Sequence, residues 1–266
     1  MDVVRATAKR ARIQNEIERL INEPLPIVYE RIAAQYPADE HRGRAELANQ
    51  MQALEPNQIH EQLMALNWPT VLTTNYDNCL ELASGNKFAT ANLASESTYS
   101  VFRRKRSNGG SLWHIHGELS GPRTMMLGLH EYSGYLQKIR QYFTTKVMGS
   151  PFVYGAGREN IEDVRHSWGD LFLRDNVHIV GFGFGYAEIV LWWLLAYKQR
   201  LRFWKGLACG QTTVYQMGNI AKGDKGRLEL MQGLGAKIRY ISSDSGRPTR
   251  KTWDKVIEML KRERRN

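Results

Sequence analysis

Val177-His178-Ile179-Val180 is an apolar, largely β-branched run of strand length, and it leads directly into Gly181-Phe182-Gly183-Phe184-Gly185-Tyr186. An apolar helical pattern over residues 187–200 follows. A short buried strand, a glycine-rich turn and a helix make one βα unit. Glycines in such a turn expose backbone N–H groups to an anion or a ribose. The pattern is not GxGxxG, because Tyr186 stands in the last glycine's place. A tight turn that binds nothing therefore remains an equal reading. The helix with Trp192-Trp193-Leu194-Leu195 reads as core packing.

Working outward, the same alternation recurs. Downstream, strands are expected at residues 212–216 and 236–241, and helices at 226–234 and 251–261. Upstream, Val71-Leu72-Thr73-Thr74 is a short strand with a helix at 77–83 after it. Further strands are expected at 98–102, 111–115 and 124–127, and helices at 132–148 and 161–173. Residues 103–110, Arg-Arg-Lys-Arg-Ser-Asn-Gly-Gly, read as a basic turn. Residues 1–66 read as a helical section, with Ile13, Ile17, Leu20 and Ile21 at helical spacing and further helices at 27–35, 44–54 and 58–66. Strands alternating with helices give an α/β fold, a Rossmann-like doubly wound, mostly parallel sheet with an added helical section. The expected division is a helical section, 1–66, packed on the core and not independent, and an α/β domain, 67–266.

Composition bounds the rest. With 266 residues, 42% hydrophobic and 10% aromatic, the chain can bury a large core. The most apolar run, residues 187–197, is too short for a membrane span and contains Glu188. No secretory signal is read at the N-terminus, and Glu16, Glu18 and Glu23 argue against a transit peptide. Cys79 and Cys209 belong to no CxxC pair, which excludes a four-cysteine zinc ribbon and suits a reducing, cytoplasmic location. The net charge of +10 reads as a scattered basic surplus on a soluble domain.

Two further stretches could carry chemistry. Thr73-Thr74-Asn75-Tyr76-Asp77 closes a strand and opens a helix, with Asn75 at the strand's carboxyl end and Asp77 placed to cap the helix. His114-Ile115-His116-Gly117 lies at the end of another. On a strand His114 and His116 would share a face, which raises zinc, with His130 the candidate third ligand; no convincing third ligand emerges, and no metal is expected. A histidine there can act as a general base.

Taken in order, the TTNYD-type strand end, the HG about forty residues later and the glycine-rich turn resemble the sirtuin-like family. The resemblance extends through Leu127-Gly128-Leu129-His130-Glu131-Tyr132 and through residues 227–236, and covers roughly residues 60–260. In detail it is similar to the bacterial branch without a zinc ribbon, whose members act as NAD-cleaving effectors in anti-phage defence. It implies that Asn75 orients the nicotinamide ribose and the attacking water, and that His116 is the catalytic histidine. The resemblance also implies cofactor-binding roles for Thr74 and Asp77, Asp77 as the acid that supports the Asn75 loop, for Gly181, Phe182 and Gly183, which would hold the adenosine ribose, and more loosely for Tyr215, toward adenine.

The family's opening GAGxS-type loop has no counterpart before Thr73; Tyr154-Gly155-Ala156-Gly157 has the glycines but lies late. A shortened form, a partner chain that supplies the loop and a degenerate relative all remain open. The expected activity is hydrolysis of NAD to nicotinamide and ADP-ribose, with NAD as substrate and a homo-oligomer or an activating partner protein. The alternative is a non-catalytic module that binds NAD or ADP-ribose, or a scaffold. A nucleic-acid-associated protein, suggested by residues 103–106 and 261–265, ranks third, and a deacylase last.

Overall fold

The computed structural model describes residues 19–20, 23–34, 40–91, 99–108, 110–146, 149–154, 167–220 and 222–265. The expected helix around Ile13 to Ile21, the start of the one at 161–173, Thr98 and the glycines of residues 155–157 lie outside or largely outside them. The architecture is mixed α/β, and three of the five strand pairings among the described residues are parallel. The chain divides into two compact units, Met1–Gly149 with Gly185–Val190, and Ser150–Phe184 with Leu191–Asn266.

The first unit contains helices α1 (Leu25–Ala33), α2 (Glu40–Met51) and α3 (Gln58–Met64), then β1 (Thr70–Thr73), α4 (Cys79–Ser84), β2 (Ala89–Ala91), β3 (Arg104–Ser107), β4 (Gly110–His114), a 3-10 turn (Pro122–Thr124) and α5 (Leu129–Thr144). Its strands run in the order β1-β4-β3-β2, with β1 parallel to β4 and the other pairs antiparallel. Leu47 and Ala48 of α2 pack with Leu119, Met125 and Leu127, and Tyr76 leans on the same cluster. Buried Arg44 donates to the Met125 carbonyl and to Glu131. Glu131 in turn accepts from the Gly128 N–H at 2.7 Å and so starts α5 earlier than the hydrophobic pattern suggests.

Two expectations fail here. The basic run is not a turn: Arg104–Ser107 is a strand in a hairpin with β4. Cross-strand and buried partners outweigh the low strand propensity of charged residues. Lys105 reaches Glu81 and Glu118, and Arg104 lies over the Trp113 ring. Neither residues 99–102 nor 124–127 form a strand. Met125, Met126 and Leu127 are apolar because they are buried in an extended connection, which composition alone does not distinguish from a ladder.

The second unit contains α6 (Pro151–Tyr154), α7 (Trp168–Arg174), β5 (Val177–Ile179), most of α8 (Ile189–Lys205), β6 (Thr212–Met217), α9 (Lys222–Gly233), β7 (Ala236–Ile241) and α10 (Arg250–Arg265). Its three strands are all parallel, in the order β5-β6-β7. Each helix between them serves as the crossover that parallel pairing requires. α10 buries Val256, Ile257 and Leu260, spaced as one helical face. Thr249 and Thr252 cap its start reciprocally, Thr249 N–H to Thr252 Oγ1 at 2.8 Å and Thr252 N–H to Thr249 Oγ1 at 3.4 Å.

Candidate functional site

In the first unit the parallel register sets Thr73 opposite His114, so β1 and β4 end side by side. The two chains leaving that edge carry the residues singled out from the sequence. After β1, the Asn75 N–H donates to Thr73 Oγ1 at 3.1 Å, which turns the chain out of the sheet and leaves the Asn75 side chain exposed. Asp77 Oδ1 accepts from the Cys79 N–H at 3.0 Å, so Asp77 does tie down the first turn of α4. After β4, the Ile115 N–H reaches back to the Thr73 carbonyl at 2.9 Å. His116 then lies in a tight turn, beyond the last strand residue His114. The two histidines therefore do not share a strand face.

Gly117 makes that turn. Its φ is +95°, and a Cβ there would stand 2.1 Å from the Thr124 carbonyl oxygen, so only glycine fits. The His116 carbonyl accepts from the Met126 N–H at 2.8 Å. The Met126 carbonyl accepts from the Tyr76 hydroxyl, in the Asn75 loop. The Leu119 N–H bonds to the Tyr76 carbonyl at 3.1 Å. The two loops are thus fastened to each other as well as to the strands.

The His116 ring is buried, 5.4 Å edge-on from Tyr132, with Nε2 3.3 Å from Glu188 Oε2. In the sequence Glu188 stands within an apolar run; in the fold it lies just before α8 and faces the histidine. Burial pushes the His116 imidazole down to about 4 and the Glu188 carboxyl up to about 7. At neutral pH His116 is a neutral imidazole beside a carboxyl group balanced between its two forms. A neutral imidazole can accept a proton, and of the two groups it is the carboxyl that titrates near the working pH. Burial also raises both the Tyr76 and Tyr132 hydroxyls, keeping them as neutral donors. The helical spacing of the aromatics after Glu188 masked it; an acidic residue opening an apolar helix was the available signal.

His114 has different partners, the Asn75 carbonyl at 2.8 Å and Glu81 at 2.9 Å. Among the described residues no group of three His, Cys, Asp or Glu stands close enough to hold a metal. Burial pushes the Cys79 thiol up to about 12, far from a reactive thiolate. Part of the basic run points inward: Arg103 pairs with Glu118 at 3.1 Å and Lys105 with Glu81 and Glu118, while Arg106 is exposed.

In the second unit the glycine-rich turn follows β5. Gly181 has φ +64°, and a Cβ there would meet the Trp253 ring at 2.7 Å. Phe184, at φ +47°, is held in this strained conformation by its burial, edge-on to Phe182 and Trp192. Gly183 is exposed and open; the nearest group to a Cβ there is the Arg227 guanidinium, 3.9 Å away. Exposed backbone beside a cation suits an anion. Tyr215 is buried, with its hydroxyl 3.1 Å from His178 Nδ1.

Residues 69–193 match the family model described as a SIR2-like domain. The match takes in Thr74, Asn75, Asp77, His116, Gly181, Phe182, Gly183 and Glu188, and stops short of Tyr215. No match was found among curated proteins. Among the described residues no helix is long and apolar enough to cross a membrane.

Proposed function

From the SIR2-like domain present over residues 69–193, we propose that this protein is an NAD+ glycohydrolase. The observation that carries the reading is the paired strand end, with exposed Asn75 on one exit and, on the other, a buried, neutral His116 beside Glu188. In the reaction the bond between the ribose C1′ and the nicotinamide nitrogen breaks. Nicotinamide leaves as a neutral base because its pyridinium charge takes up the bond electrons. Asn75 orients the ribose and the water that adds to C1′. His116 accepts that water's proton, and Glu188 takes up or returns it across 3.3 Å. Positioned base catalysis of this kind contributes ~10²–10⁴-fold, with orientation supplying a further part. By resemblance Thr74 and Asp77 are cofactor-binding, with Asp77 supporting the Asn75 loop, and Gly181, Phe182, Gly183 and Tyr215 belong to the adenosine end of NAD. The setting we attach to the activity is defence against phage, with a homo-oligomer or a partner protein as trigger.

The test is chromatographic detection of nicotinamide and ADP-ribose released from NAD by the purified chain, beside Asn75→Ala and His116→Ala. Release by wild type and its loss in both folded variants is the expected result. Undiminished release in either variant would overturn the assignment, and ligand binding without turnover would favour a sensing module instead.

A further inference from the structure

Asn75 touches the polar interior of the first unit through its carbonyl, and that contact leads into a network the proposed chemistry leaves unused. The Asn75 carbonyl faces His114 Nδ1 at 2.8 Å, and His114 Nε2 faces Glu81 Oε1 at 2.9 Å. Lys105 Nζ lies 2.5 Å from the same Glu81 oxygen and 3.0 Å from Glu118 Oε2, and Arg103 Nε is 3.1 Å from Glu118 Oε1. Lys105 also reaches Asn78 Oδ1 at 3.3 Å, in the connection between Asn75 and α4. The His114 side chain is 3% exposed, and those of Glu81 and Lys105 are 11% and 12% exposed.

We propose that His114, keyed by Glu81, is the positioning residue that fixes the Asn75 loop for catalysis.

The ring meets two acceptors. A carbonyl oxygen can only accept, so Nδ1 carries a proton and donates it to Asn75. Nε2 meets a carboxylate. Burial would raise the Glu81 carboxyl, but its contacts with His114 and Lys105 outweigh burial and hold it at about 2, so it is ionised and also only accepts. Glu81 comes from α4, Lys105 from β3 and His114 from β4, so three elements meet in the network whose His114 end touches the Asn75 carbonyl. Arg103 and Lys105 compensate Glu118, and Lys105 compensates Glu81, which lets so many charges be buried together. The strand end thereby presents Asn75 in one orientation, as a water- and ribose-orienting amide requires. Sequence shows His114 and His116 as near equivalents; the structure gives one to the loop and the other to Glu188.

This inference rests on the proposed hydrolase for its kinetic consequence, and its physical content is tested without turnover. Wild type, Glu81→Gln and His114→Gln, with Arg106→Ala on the exposed side of β3 as control, are labelled with 15N and checked for folding by far-UV circular dichroism. NMR then reads the backbone amides of residues 74–78. The Asn75 and Tyr76 amides should move or broaden in both network variants and not in Arg106→Ala. Where turnover is measured, kcat falls about 10-fold or more with KM little changed. Unmoved loop amides in both folded network variants overturn the inference whether or not NAD is cleaved. An intact NMR signature in a chain that never releases nicotinamide sinks the hydrolase and leaves the positioning contact standing.

Discussion

Replacing Glu188 by Gln keeps the shape of the side chain and removes only its ability to ionise. The buried carboxyl titrates at about 7 instead of its ordinary 4.5. A carboxyl that the folded protein keeps protonated to higher pH than the unfolded chain does costs stability as pH rises through that window. The cost begins near pH 4.5 and is complete above about pH 7. At roughly 1.4 kcal/mol per pH unit, the full cost is about 3 kcal/mol. Glu188 is only 18% exposed, so solvent screening removes little of it. Glu188→Gln is therefore expected to stabilise the first unit by about 3 kcal/mol more at pH 8 than at pH 4.5. Urea unfolding of wild type and variant at both pH values measures this, with the shared titration of other groups cancelling in the comparison. The same variant is expected to lose nicotinamide release, because His116 loses the group that takes up and returns its proton. A more stable and less active protein is the signature of an acid buried for function. An equal stability difference at pH 4.5 and pH 8 would refute the reasoning, since Glu188 would then titrate normally.

Three other outcomes follow from the same structure. Gly117→Ala places a methyl group within van der Waals overlap of the Thr124 carbonyl at φ +95°, and should cost about 3 kcal/mol or prevent folding, read from thermal melts. Tyr76→Phe removes one hydrogen bond, to the Met126 carbonyl, and should cost about 1 kcal/mol with a modest loss of turnover. In the second unit, burial, with the nearby Arg202 charge, pulls the Lys198 ammonium down to about 7, although it donates to the Phe172 carbonyl at 2.7 Å and to Thr212 at 3.2 Å. The unfolded chain holds that proton to a higher pH, so stability rises as pH climbs from about 7 toward 10. Lys198→Met should abolish about 3 kcal/mol of that rise, measured by urea unfolding at pH 7 and pH 9.5.

Much of the α/β order could be read directly from the chain. The strands at 71–74, 111–115, 177–180, 212–216 and 236–241 lie within a residue or two of β1, β4, β5, β6 and β7, because short apolar, β-branched runs bounded by turn residues have few other uses. What misled was polarity. Arg104–Ser107 looks like a turn and is a strand, and residues 124–127 look like a strand and are a buried connection. In both cases a partner distant in sequence, not the local composition, decides the conformation.

The same division applies to the site. The chain itself determined that Asn75 and His116 stand at the carboxyl ends of strands, since strand ends and the glycine that follows them are local properties. It also determined that a glycine-rich loop follows Val177–Ile179. Only the tertiary structure decided what those residues meet. Glu188 lies 72 positions beyond His116, and Glu81 33 positions before His114. Burial at these contacts, which no local pattern reports, makes one histidine a neutral base and ties the other to the Asn75 carbonyl. A side chain's protonation follows from the dielectric and the partners around it, and those exist only once the chain has folded.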